Sequence, residues 1–474
     1  MSNKLTKIVA TISDERCDTE FLRSLIQEGV NVVRLNTAHM SPEDMERVID
    51  NVRAVNPYVG ILMDTKGPEI RTTKCEEPIC FQAGDRVCLK GAPEEFTTRQ
   101  QISLSYPDII NVLKVGMRIL IDDGDLEFQV EEIKEREAVC VAQNEATLKS
   151  RKSVNIPDVH IPLPSLTAKD LLFIEHAIRK DIDFIAHSFV RTQQDVLDIQ
   201  HILDEHNSPI EIIAKIENQE GVDNIDSILS VASGIMVARG DLGIEIPFER
   251  IPGIQRHLIR KAIERKKPVI VATQMLHSMI ENPRPTRAEV TDIANAIYYR
   301  TDAVMLSGET AYGKYPVEAV RTMSKVIYEA EQTRLEANDI RVPIEGDDLT
   351  TTAFLAKQAV KSISKLNVKA LIADSYTGRT ARYLAAFRGK VPIYAVCYRE
   401  PISRQLSLSY GVKTTYVPLE KGKPQNLKEA LEQLVTLGYL TLEDKVAHMS
   451  GNIGKKGSTN SLEIDTVQNL IDHQ

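Results

Sequence analysis

The sequence predicts an α/β protein in which eight short apolar strands alternate with helices, with an all-β insertion and a second α/β unit towards the C-terminus. Two observations carry this prediction. The strand segments are rich in Val, Ile and Ala with little polar alternation, and an amphipathic helix follows nearly every one of them. Such an alternation is typical of a (β/α)8 barrel or of an open doubly wound sheet. Because the chain has 474 residues, two or three domains are expected.

Eight segments have the composition of parallel strands that are buried on both faces. They are KIVATI (from Lys7), VNVVRLN (from Val30), VGILMDT (from Val59), DFIAHSFV (from Asp183), EIIAKIE (from Glu211), GIMVARGD (from Gly234), PVIVATQ (from Pro268) and DAVMLSGE (from Asp302). The helices between them carry start signals. Ser41 and Pro42 open one helix, and T-x-x-D segments begin at Thr167 and Thr192.

The pattern changes between about Thr72 and Ser165, where short alternating strands are separated by Gly and Asp turns, as in FQAGDRVCLKG and GMRILIDDGDLEFQV. We expect an all-β unit inserted after the third strand, able to act as a lid over a barrel mouth. After the helix that begins near Pro316, the strands KALIAD, VPIYAV, KTTYVP and KVAHMS alternate with helices and indicate a separate α/β sheet. The predicted domains are 1–71 with 166–345 for the barrel, 72–165 for the lid and 346–474 for the C-terminal unit.

Composition excludes several classes of function. The formal net charge of -9 gives no general attraction for nucleic acid or for an anionic membrane. No apolar run approaches the roughly 20 residues of a membrane span, and the N-terminus lacks the pattern of a secretion signal. The six cysteines are scattered, without C-x-x-C pairs or histidines at zinc spacing. We therefore expect reduced cysteines and a cytoplasmic protein.

Polar side chains close nearly every predicted strand, at the end where barrels of this type build their active sites. They are Arg34 and Asn36; Asp64, Thr65, Lys66, Glu69 and Arg71; Ser188; Lys215 and Glu217; Arg239, Gly240 and Asp241; Thr273; Ser307 and Glu309. A single such charge would be explained by a structural salt bridge, but so many at one end of the fold favour an active site. Cationic side chains beside two carboxylates that suit Mg²⁺ are typical of phosphoryl transfer.

Six segments resemble the signature blocks of pyruvate kinases and follow one another in the order of that family. They are MDTKGPEIRT (63–72), IIAKIENQEGV (212–222), VARGDLGIEIP (237–247), VATQML (271–276), NPRPTRAEVTDIANA (282–296) and MLSGETAYGKYP (305–316). The resemblance covers almost the whole chain. It implies a (β/α)8 TIM barrel with lid and C-terminal regulatory domains, a cytoplasmic homotetramer, and transfer of a phosphoryl group from phosphoenolpyruvate to ADP in the last step of glycolysis.

The resemblance implies roles around the reacting phosphoryl group. Lys215 resembles the lysine that stabilises the phosphoryl group in flight, and Arg34 resembles the arginine that holds the phosphate. Glu217 and Asp241 resemble the ligands of the Mg²⁺ (or Mn²⁺) that bridges the carboxylate and phosphate of the substrate. The backbone of Ala238, Arg239 and Gly240 lies where the family binds the substrate carboxylate. Thr273 resembles the threonine near the enol carbon, part of a proton-delivery route with Ser307 and Glu309.

The resemblance also implies a nucleotide region. Arg71 resembles a second arginine near the nucleotide phosphates, and Lys152 resembles a lysine of the lid that reaches ADP when the lid closes. His39 and Asn36 belong to the same region. After the first strand the family usually reads T-I-G-P, whereas this chain has Thr-Ile-Ser-Asp at 11–14, so the loop that borders ADP differs here.

A monovalent cation is implied as well. Asn36, Asp64 and Thr65 match three of the usual ligands of K⁺, and Glu69 matches the glutamate of the potassium-dependent branch of the family. A carboxylate at Glu69 leaves negative charge for K⁺ to balance, whereas a lysine there would replace the cation. Ala38 stands where the family typically has a serine, which removes one side-chain oxygen from this site.

The C-terminal unit contains a candidate anion site in DSYTGRTARYL (374–384), between a strand and a helix. Its residues are Ser375, Thr377, Gly378, Arg379 and Thr380. Ordinary helix capping explains the pattern equally well. In the family this loop binds sugar-phosphate effectors. Here a sugar bisphosphate, a monophosphate, AMP or no effector all stay open, with Lys455 and Lys456 on a loop that could cover such a ligand.

Two other functions fit part of the pattern. A barrel lyase acting with Mg²⁺ on oxaloacetate-like acids would share the carboxylates and arginines but would not need the lid. A regulator that has lost catalysis would keep only the C-terminal unit active, and intact Lys215, Glu217, Asp241 and Thr273 argue against it. Dependence of pyruvate formation on ADP distinguishes these functions.

Overall fold

The structure, a computed structural model, describes residues 4–157, 159, 161–333, 350–418, 427–451 and 459–472. In this part of the chain, eight parallel strands close into a barrel, an all-β unit follows the third of these strands, and a five-stranded α/β sheet comes last. The (β/α)8 barrel with a lid and a C-terminal α/β domain is therefore confirmed, and the open doubly wound sheet is excluded. None of the described helices combines the length and the apolarity needed to cross a membrane.

The first part of the barrel consists of three strands and two helices: β1 (Lys7–Thr11), α1 (Thr19–Glu28), β2 (Val32–Asn36), α2 (Pro42–Val55) and β3 (Gly60–Asp64). Helix α2 begins where the sequence predicts, because the Ser41 side chain accepts a hydrogen bond from the amide of Asp44. All residues of β1 and β3 are buried, as expected for strands covered on both faces.

The insertion contains eight strands and one short helix: β4 (Ile79–Phe81), β5 (Arg86–Gly91), β6 (Gln101–Leu104), α3 (Ile109–Val112), β7 (Arg118–Ile121), β8 (Leu126–Ile133), β9 (Ala138–Ala142), β10 (Ala146–Leu148) and β11 (Val154–Asn155). Six of the strands form one sheet in the order β11-β7-β8-β9-β5-β6, and β10 pairs with β4. Phe81 and Phe128 meet edge to face in the core of this unit, with ring centroids 5.2 Å apart. The unit thus has a core of its own.

The barrel then resumes with α4 (Ala168–Arg179), β12 (Phe184–His187), α5 (Gln193–Glu205), β13 (Glu211–Ile216), α6 (Gln219–Asp223), α7 (Ile225–Val231), β14 (Gly234–Ala238), α8 (Arg239–Glu245), α9 (Ile251–Glu264), β15 (Val269–Ala272), α10 (Arg287–Tyr298), β16 (Ala303–Leu306), α11 (Gly308–Ala311) and α12 (Pro316–Thr333). The predicted capping boxes at Thr167 and Thr192 are both present. The sixth predicted strand is too long at its C-terminal end, because β14 ends at Ala238 and α8 begins at Arg239.

The barrel closes in the order β1-β2-β3-β12-β13-β14-β15-β16 and back to β1. Its interior is filled by apolar side chains from alternate strand positions, so it is a packed core and not a pore. They include Val9, Val32, Leu62, Phe184, Ile213, Met236, Ile270 and Met305. Because the strands are parallel, their carboxyl ends all open at one mouth, where the predicted site residues lie.

The C-terminal unit contains α13 (Thr351–Leu366), β17 (Ala370–Ser375), α14 (Arg379–Ala386), β18 (Ile393–Cys397), α15 (Glu400–Gln405), β19 (Val412–Tyr416), α16 (Leu427–Thr436), β20 (Lys445–Gly451), β21 (Thr459–Thr466) and α17 (Val467–Asp472). The sheet order is β19-β18-β17-β20-β21, and only β21 is antiparallel to its neighbour. The four parallel strands match the predicted segments, whereas β21 was missed.

The C-terminal unit seals the end of the barrel opposite the mouth, which we call the base. Three of its arginines bind carboxylates at or just before the starts of β12, β13 and β16. The pairs are Arg404–Asp183, Arg382–Glu211 and Arg388–Asp302, each with a shortest N–O distance of 2.6 Å. Leu408, in a 3-10 helix at Leu406–Leu408, packs with the side chains of the barrel interior.

Candidate active site

Four predicted residues from the ends of β2, β3 and β13 form one cluster at the mouth of the barrel. The guanidinium of Arg34 lies 2.6 Å from Oδ2 of Asp64. The ammonium of Lys215 lies 3.1 Å from Oδ1 of the same carboxylate and 2.9 Å from Oε1 of Glu217. The structure thus brings these four side chains into contact, and their chemical roles remain predictions.

The turn after β12 contributes to the same cluster. The Ser188 hydroxyl lies 2.7 Å from the Lys215 ammonium and 3.2 Å from Oδ1 of Asp64. The amide of Phe189 donates a hydrogen bond of 2.7 Å to Oε2 of Glu217. Each oxygen of Glu217 thus has a partner, one charged and one from the backbone.

Burial and charge act against each other in this cluster. Burial alone would raise the pKa of Asp64, but Lys215 and Arg34 hold it below its ordinary value. Burial alone would lower the pKa of Lys215, but Asp64, Glu217 and Asp241 raise it, so the ammonium stays protonated. Burial raises the pKa of Glu217 against the opposing effect of Lys215, and the neighbouring charge of Asp241 adds to the rise.

The donor set fits a divalent cation at Glu217 and Asp241. Three carboxylates, those of Asp64, Glu217 and Asp241, act electrostatically on Lys215, and the charge of Asp241 contributes to the raised pKa of Glu217. In the described part of the chain no three His, Cys, Asp or Glu side chains form a metal cluster. Two carboxylates with substrate oxygens and water are the arrangement that Mg²⁺ accepts. These residues would therefore hold Mg²⁺ only together with a substrate.

The turn after β15 presents Thr273 in a strained backbone conformation. Thr273 and Gln274 both have positive φ, 67° and 56°, which is unfavourable for side chains of this size. Oγ1 of Thr273 accepts a hydrogen bond of 2.8 Å from the amide of Gly240. The Arg239 guanidinium donates to the carbonyl of Thr273 at 2.6 Å and pairs with Asp292. The Arg239 side chain thus braces this turn, while its backbone lies at the start of α8.

Glu309 links two loops at the mouth. Its Oε1 accepts the amide of Leu276 at 3.0 Å and its Oε2 accepts the amide of Ser307 at 2.7 Å. Because both oxygens are bonded to backbone and the side chain is buried, the geometry of Glu309 suits holding Ser307 and the loop after β15 in place.

The predicted potassium ligands are neighbours. Asn36 and Asp64 are register partners on β2 and β3, and Thr65 follows Asp64 directly. The amide oxygen of Asn36 accepts the amide of Ala38 at 3.2 Å. Glu69 pairs with Arg71, with 2.7 Å between Oε2 and the guanidinium. Carboxylate, amide and hydroxyl oxygens are of the kind that K⁺ binds, but both oxygens of Asp64 already contact Arg34 and Lys215, and Ala38 supplies no side-chain oxygen.

The predicted nucleotide residues lie around the cluster and on the lid. Arg71, which also pairs with Glu69, donates a hydrogen bond to the carbonyl of Arg151 in the lid. His39 is exposed after β2. The ammonium of Lys152 is 2.8 Å from Asp122 of the lid. A cleft of about 460 Å³ separates lid residues such as Val154 from Asp241 and Phe189 of the barrel. The lid therefore faces the mouth across an open space.

The candidate anion loop lies between β17 and α14. Gly378 caps α14 with φ of 80°, a left-handed conformation that glycine adopts without strain. Oγ of Ser375 is buried and has no hydrogen-bond partner in the described part of the chain. Thr377 is exposed, Oγ1 of Thr380 lies 2.8 Å from that of Thr459, and Arg379 contacts Tyr383. Lys455 and Lys456 lie outside the described residues.

Sequence reasoning gave no role to three groups that the structure brings to the mouth. They are the Ser188 hydroxyl, the amide of Phe189 and the Arg239–Asp292 pair. Ser188 was already among the polar residues predicted at strand ends, but no chemical role was assigned to it. The contacts of Phe189 and Asp292 depend on a left-handed turn and on a distant helix, for which the local sequence has no mark.

Two family models match the chain. The model described as "Pyruvate kinase, barrel domain" matches residues 3–320, and the one described as "Pyruvate kinase, alpha/beta domain" matches residues 354–464. Together they span the barrel with its insertion and most of the C-terminal unit.

Curated relatives and a solved structure agree with these matches. The chain is 44% identical to a pyruvate kinase of Borreliella burgdorferi, over 99% of both chains. It is 43% identical to a pyruvate kinase of Geobacillus stearothermophilus, over 98% of this chain and 81% of the relative. A crystal structure of a pyruvate kinase from Cryptosporidium parvum superposes with a TM-score of 0.91 at 36% identity, covering 98% of this chain and 96% of that one.

Proposed function

Because the chain belongs to the pyruvate kinase family, we propose that the Arg34–Asp64–Lys215–Glu217 cluster is the centre of phosphoryl transfer. The chain is a phosphotransferase that moves the phosphoryl group of phosphoenolpyruvate to ADP, giving pyruvate and ATP. The observation that carries the proposed site is the Lys215 ammonium, buried and bonded to groups from three different strand ends.

Lys215 and Arg34 bind the phosphoryl group. Both cations are preorganised, because Asp64 orients them before the substrate binds. Lys215 stabilises the charge on the phosphoryl group in flight, and Arg34 holds its non-bridging oxygens. A preorganised cation needs no reorientation at the moment of reaction, which is why such a site lowers the barrier to transfer.

Glu217 and Asp241 would hold Mg²⁺ or Mn²⁺ together with substrate oxygens, as suggested by the position of Asp241 in the cleft beside Phe189, whose amide bonds Glu217. When bound, the divalent cation supplies charge neutralisation for the phosphate and for the enolate. Asn36, Asp64 and Thr65 hold K⁺, with the charge of Glu69 nearby. Loss of the serine oxygen at Ala38 weakens affinity for K⁺ relative to a four-ligand site.

The substrate carboxylate binds at the start of α8, on the backbone of Ala238, Arg239 and Gly240. The amide of Gly240 now donates to Oγ1 of Thr273, which itself donates to the carbonyl of Ala272 at 2.7 Å. A substrate that takes over the Gly240 donor would free Oγ1 to accept a proton as it gives up its own. Thr273 and Ser307 then pass a proton to the enol carbon, while Glu309 keeps Ser307 in place through its backbone bond. This assigns Glu309 a positioning role within the proton route.

ADP lies between the lid and the barrel, near Arg71, Lys152, His39 and Asn36. Closure of the lid over the cleft would remove water from the reacting groups and bring Lys152 towards the nucleotide. For Lys152 this requires exchange of its bond to Asp122 for the phosphates. We also infer a cytoplasmic homotetramer, which sedimentation of the purified protein and cell fractionation would test.

The assay for the activity is pyruvate release from phosphoenolpyruvate. We expect release only with ADP and a divalent cation, and faster release with K⁺. The variant Asp241→Asn should need a much higher Mg²⁺ concentration for half-maximal rate. Asp223→Asn, in the same cleft but bonded to Gln219, is the matched control and should behave as wild type. Pyruvate release without ADP would favour a lyase instead, and an unchanged Mg²⁺ requirement in Asp241→Asn would remove Asp241 from the metal site.

A second proposal concerns the loop of Ser375, Thr377, Gly378, Arg379 and Thr380. It binds the phosphate of a sugar-phosphate effector, as suggested by the unpartnered buried hydroxyl of Ser375 at the start of the loop. Titration of sugar monophosphates, sugar bisphosphates and AMP into the assay should lower the phosphoenolpyruvate concentration for half-maximal rate for one of them. No shift with any of these compounds would leave the loop a structural cap of α14.

A further inference from the structure

We propose that the Ser188–Phe189 turn after β12 is the positioning element of the active site, with the Ser188 hydroxyl holding the Lys215 ammonium in its catalytic orientation. The inference rests on the proposed role of Lys215. It adds a positioning residue from β12, a strand whose end otherwise carries no group that acts on the substrate.

The hydrogen bonds of Ser188 fix its hydroxyl as an acceptor for the lysine. Oγ lies 2.7 Å from the carbonyl oxygen of Thr65 and 2.7 Å from the Lys215 ammonium. A hydroxyl has a single proton, and the Thr65 carbonyl can only accept it. The lone pairs of Ser188 therefore face Lys215. The amide of Ser188 also donates to Oγ1 of Thr65 at 2.9 Å, which keeps the turn against β3.

The proton count of Lys215 shows why this contact matters. Its ammonium has three N–H groups, and the structure gives it three partners, Ser188, Asp64 and Glu217. A phosphoryl group can be bound only if one partner yields. Glu217 is the partner that the metal would engage, so its contact is the one to be exchanged. Ser188 and Asp64 then remain as the two anchors during transfer.

A neutral anchor is chemically suited to this task. A further carboxylate would hold the ammonium equally well but would offset the positive charge that the phosphoryl group needs. The hydroxyl of Ser188 fixes direction with little loss of charge. Misplacement of a catalytic group by about 1 Å can cost on the order of 100-fold in rate, so an anchor that fixes direction has a measurable effect.

Phe189, the residue after Ser188, positions Glu217, which is the carboxylate partner of Lys215. Phe189 has φ of 57°, a conformation that is costly for a bulky side chain. This conformation presents its amide to Oε2 of Glu217. The turn packs closely against Gly67, where an added Cβ would lie 2.8 Å from the Phe189 ring and 2.9 Å from the Ser188 Cβ. Two adjacent residues thus position Lys215 and Glu217 together.

The test compares Ser188→Ala with Ser324→Ala. Ser324 is likewise buried and donates one hydrogen bond to a backbone carbonyl, that of Glu28, but it lies on α12. We expect kcat of Ser188→Ala to fall more than fivefold, with KM for both substrates within about threefold, because the proposed role of the hydroxyl is to hold Lys215 and not to bind a substrate. Ser324→Ala should keep wild-type kcat. Ser188→Cys, a near isostere with a weaker acceptor, should have a kcat between those of Ser188→Ala and wild type. If Ser188→Ala does not fold, Ser188→Cys takes its place in the comparison.

A second arm measures the same substitution in a Lys215→Met background, where an anchor for the lysine has nothing to hold. The loss of kcat caused by Ser188→Ala should be at least threefold smaller there than in the wild-type background. A smaller difference, or a loss under fivefold in the wild-type background, would overturn the positioning role. Wild-type turnover by Lys215→Met itself would instead contradict the proposed function of the cluster, so the two failures are distinguishable.

Discussion

The two ends of the barrel each bury a lysine, and the two lysines are treated in opposite ways. At the mouth, Lys215 lies among the carboxylates of Asp64, Glu217 and Asp241, which raise its pKa despite burial. At the base, Lys7 bonds the carbonyl of Val412 at 2.5 Å, and burial lowers its pKa to about 8. Neighbouring carboxylates thus keep the lysine at the mouth charged, whereas burial favours the neutral form of the lysine at the base.

The ion pairs at the two ends differ in the same way. At the base, the carboxylates at the strand starts are paired with arginines of the C-terminal unit, as in Arg404–Asp183 and Arg388–Asp302, and the interface is closed. At the mouth, the pairs border an open cleft under the lid. A charge at a strand end is therefore no sign of function by itself. It indicates a site only where an open cleft borders the charge, as under the lid, and not where another domain packs directly against it.

Removing a cation from the base tests whether the ion pairs there serve stability and not activity. Arg404→Met should lower the free energy of unfolding by about 1.5–3 kcal/mol, because the buried Asp183 would lose one of its two arginine partners and keep only Arg53. Turnover per folded molecule should stay within about twofold of wild type at a temperature well below the transition. Urea denaturation and steady-state assays measure the two quantities.

The control for Arg404→Met is Arg260→Met, which removes an exposed pair with Glu264 on α9. It should change stability by no more than about 0.5 kcal/mol. A large loss of turnover in folded Arg404→Met would show that the base takes part in catalysis and would blur the division between the two ends.

At the mouth, removing one charge should affect rate more than stability. Glu217→Gln keeps the shape of the side chain but removes a metal-binding charge and one partner of Lys215. We expect kcat to fall about 100-fold, equivalent to nearly 3 kcal/mol, together with a higher Mg²⁺ requirement. Kinetics over a range of Mg²⁺ concentrations measure both effects. Turnover and Mg²⁺ requirement like those of wild type would exclude Glu217 as a ligand.

The lowered pKa of Lys7 should make the free energy of unfolding depend on pH. Lys7 has its pKa lowered from 10.5 to about 8, so between these values the unfolded chain binds more protons than the folded one. Stability should therefore rise with pH from about 8, at up to about 1.4 kcal/mol per pH unit for this group. Lys4, Lys413, Glu331 and Asp302 also face this region. The comparison with Lys7→Met isolates the share of Lys7, and equal slopes in both proteins would show that Lys7 does not titrate there.

The smallest expected effect concerns close packing at the base. A Cβ added at Gly60 would overlap the Ser407 hydroxyl and would lie 3.1 Å from Val32 and 3.3 Å from Phe184. Gly60→Ala should therefore cost about 1–2 kcal/mol of stability without changing kcat. Adding Ser407→Ala should recover part of this loss, as measured by urea denaturation. No recovery would place the strain in the barrel interior instead of the domain interface.

The comparison also explains what the sequence could and could not predict. Parallel apolar strands share one carboxyl end, so Arg34, Lys215 and Glu217 could be placed together from strand order alone. Capping boxes are local patterns, which is why the starts of α4 and α5 were correct. The pairing of Arg404 with Asp183 joins residues 221 positions apart and has no local signature. β21 was missed because it is a mostly polar edge strand with little burial.

The most direct test of the account is the behaviour of Lys215→Met, measured for turnover and for stability in the same preparation. Turnover per folded molecule should fall about 1,000-fold, because the phosphoryl group loses its cation. The buried Glu217 also loses its charged partner, so the free energy of unfolding should fall by no more than about 3–5 kcal/mol, and the protein should stay folded under the conditions of the assay. The account would be contradicted by turnover close to wild type, or by an inactive protein whose loss of activity follows from unfolding.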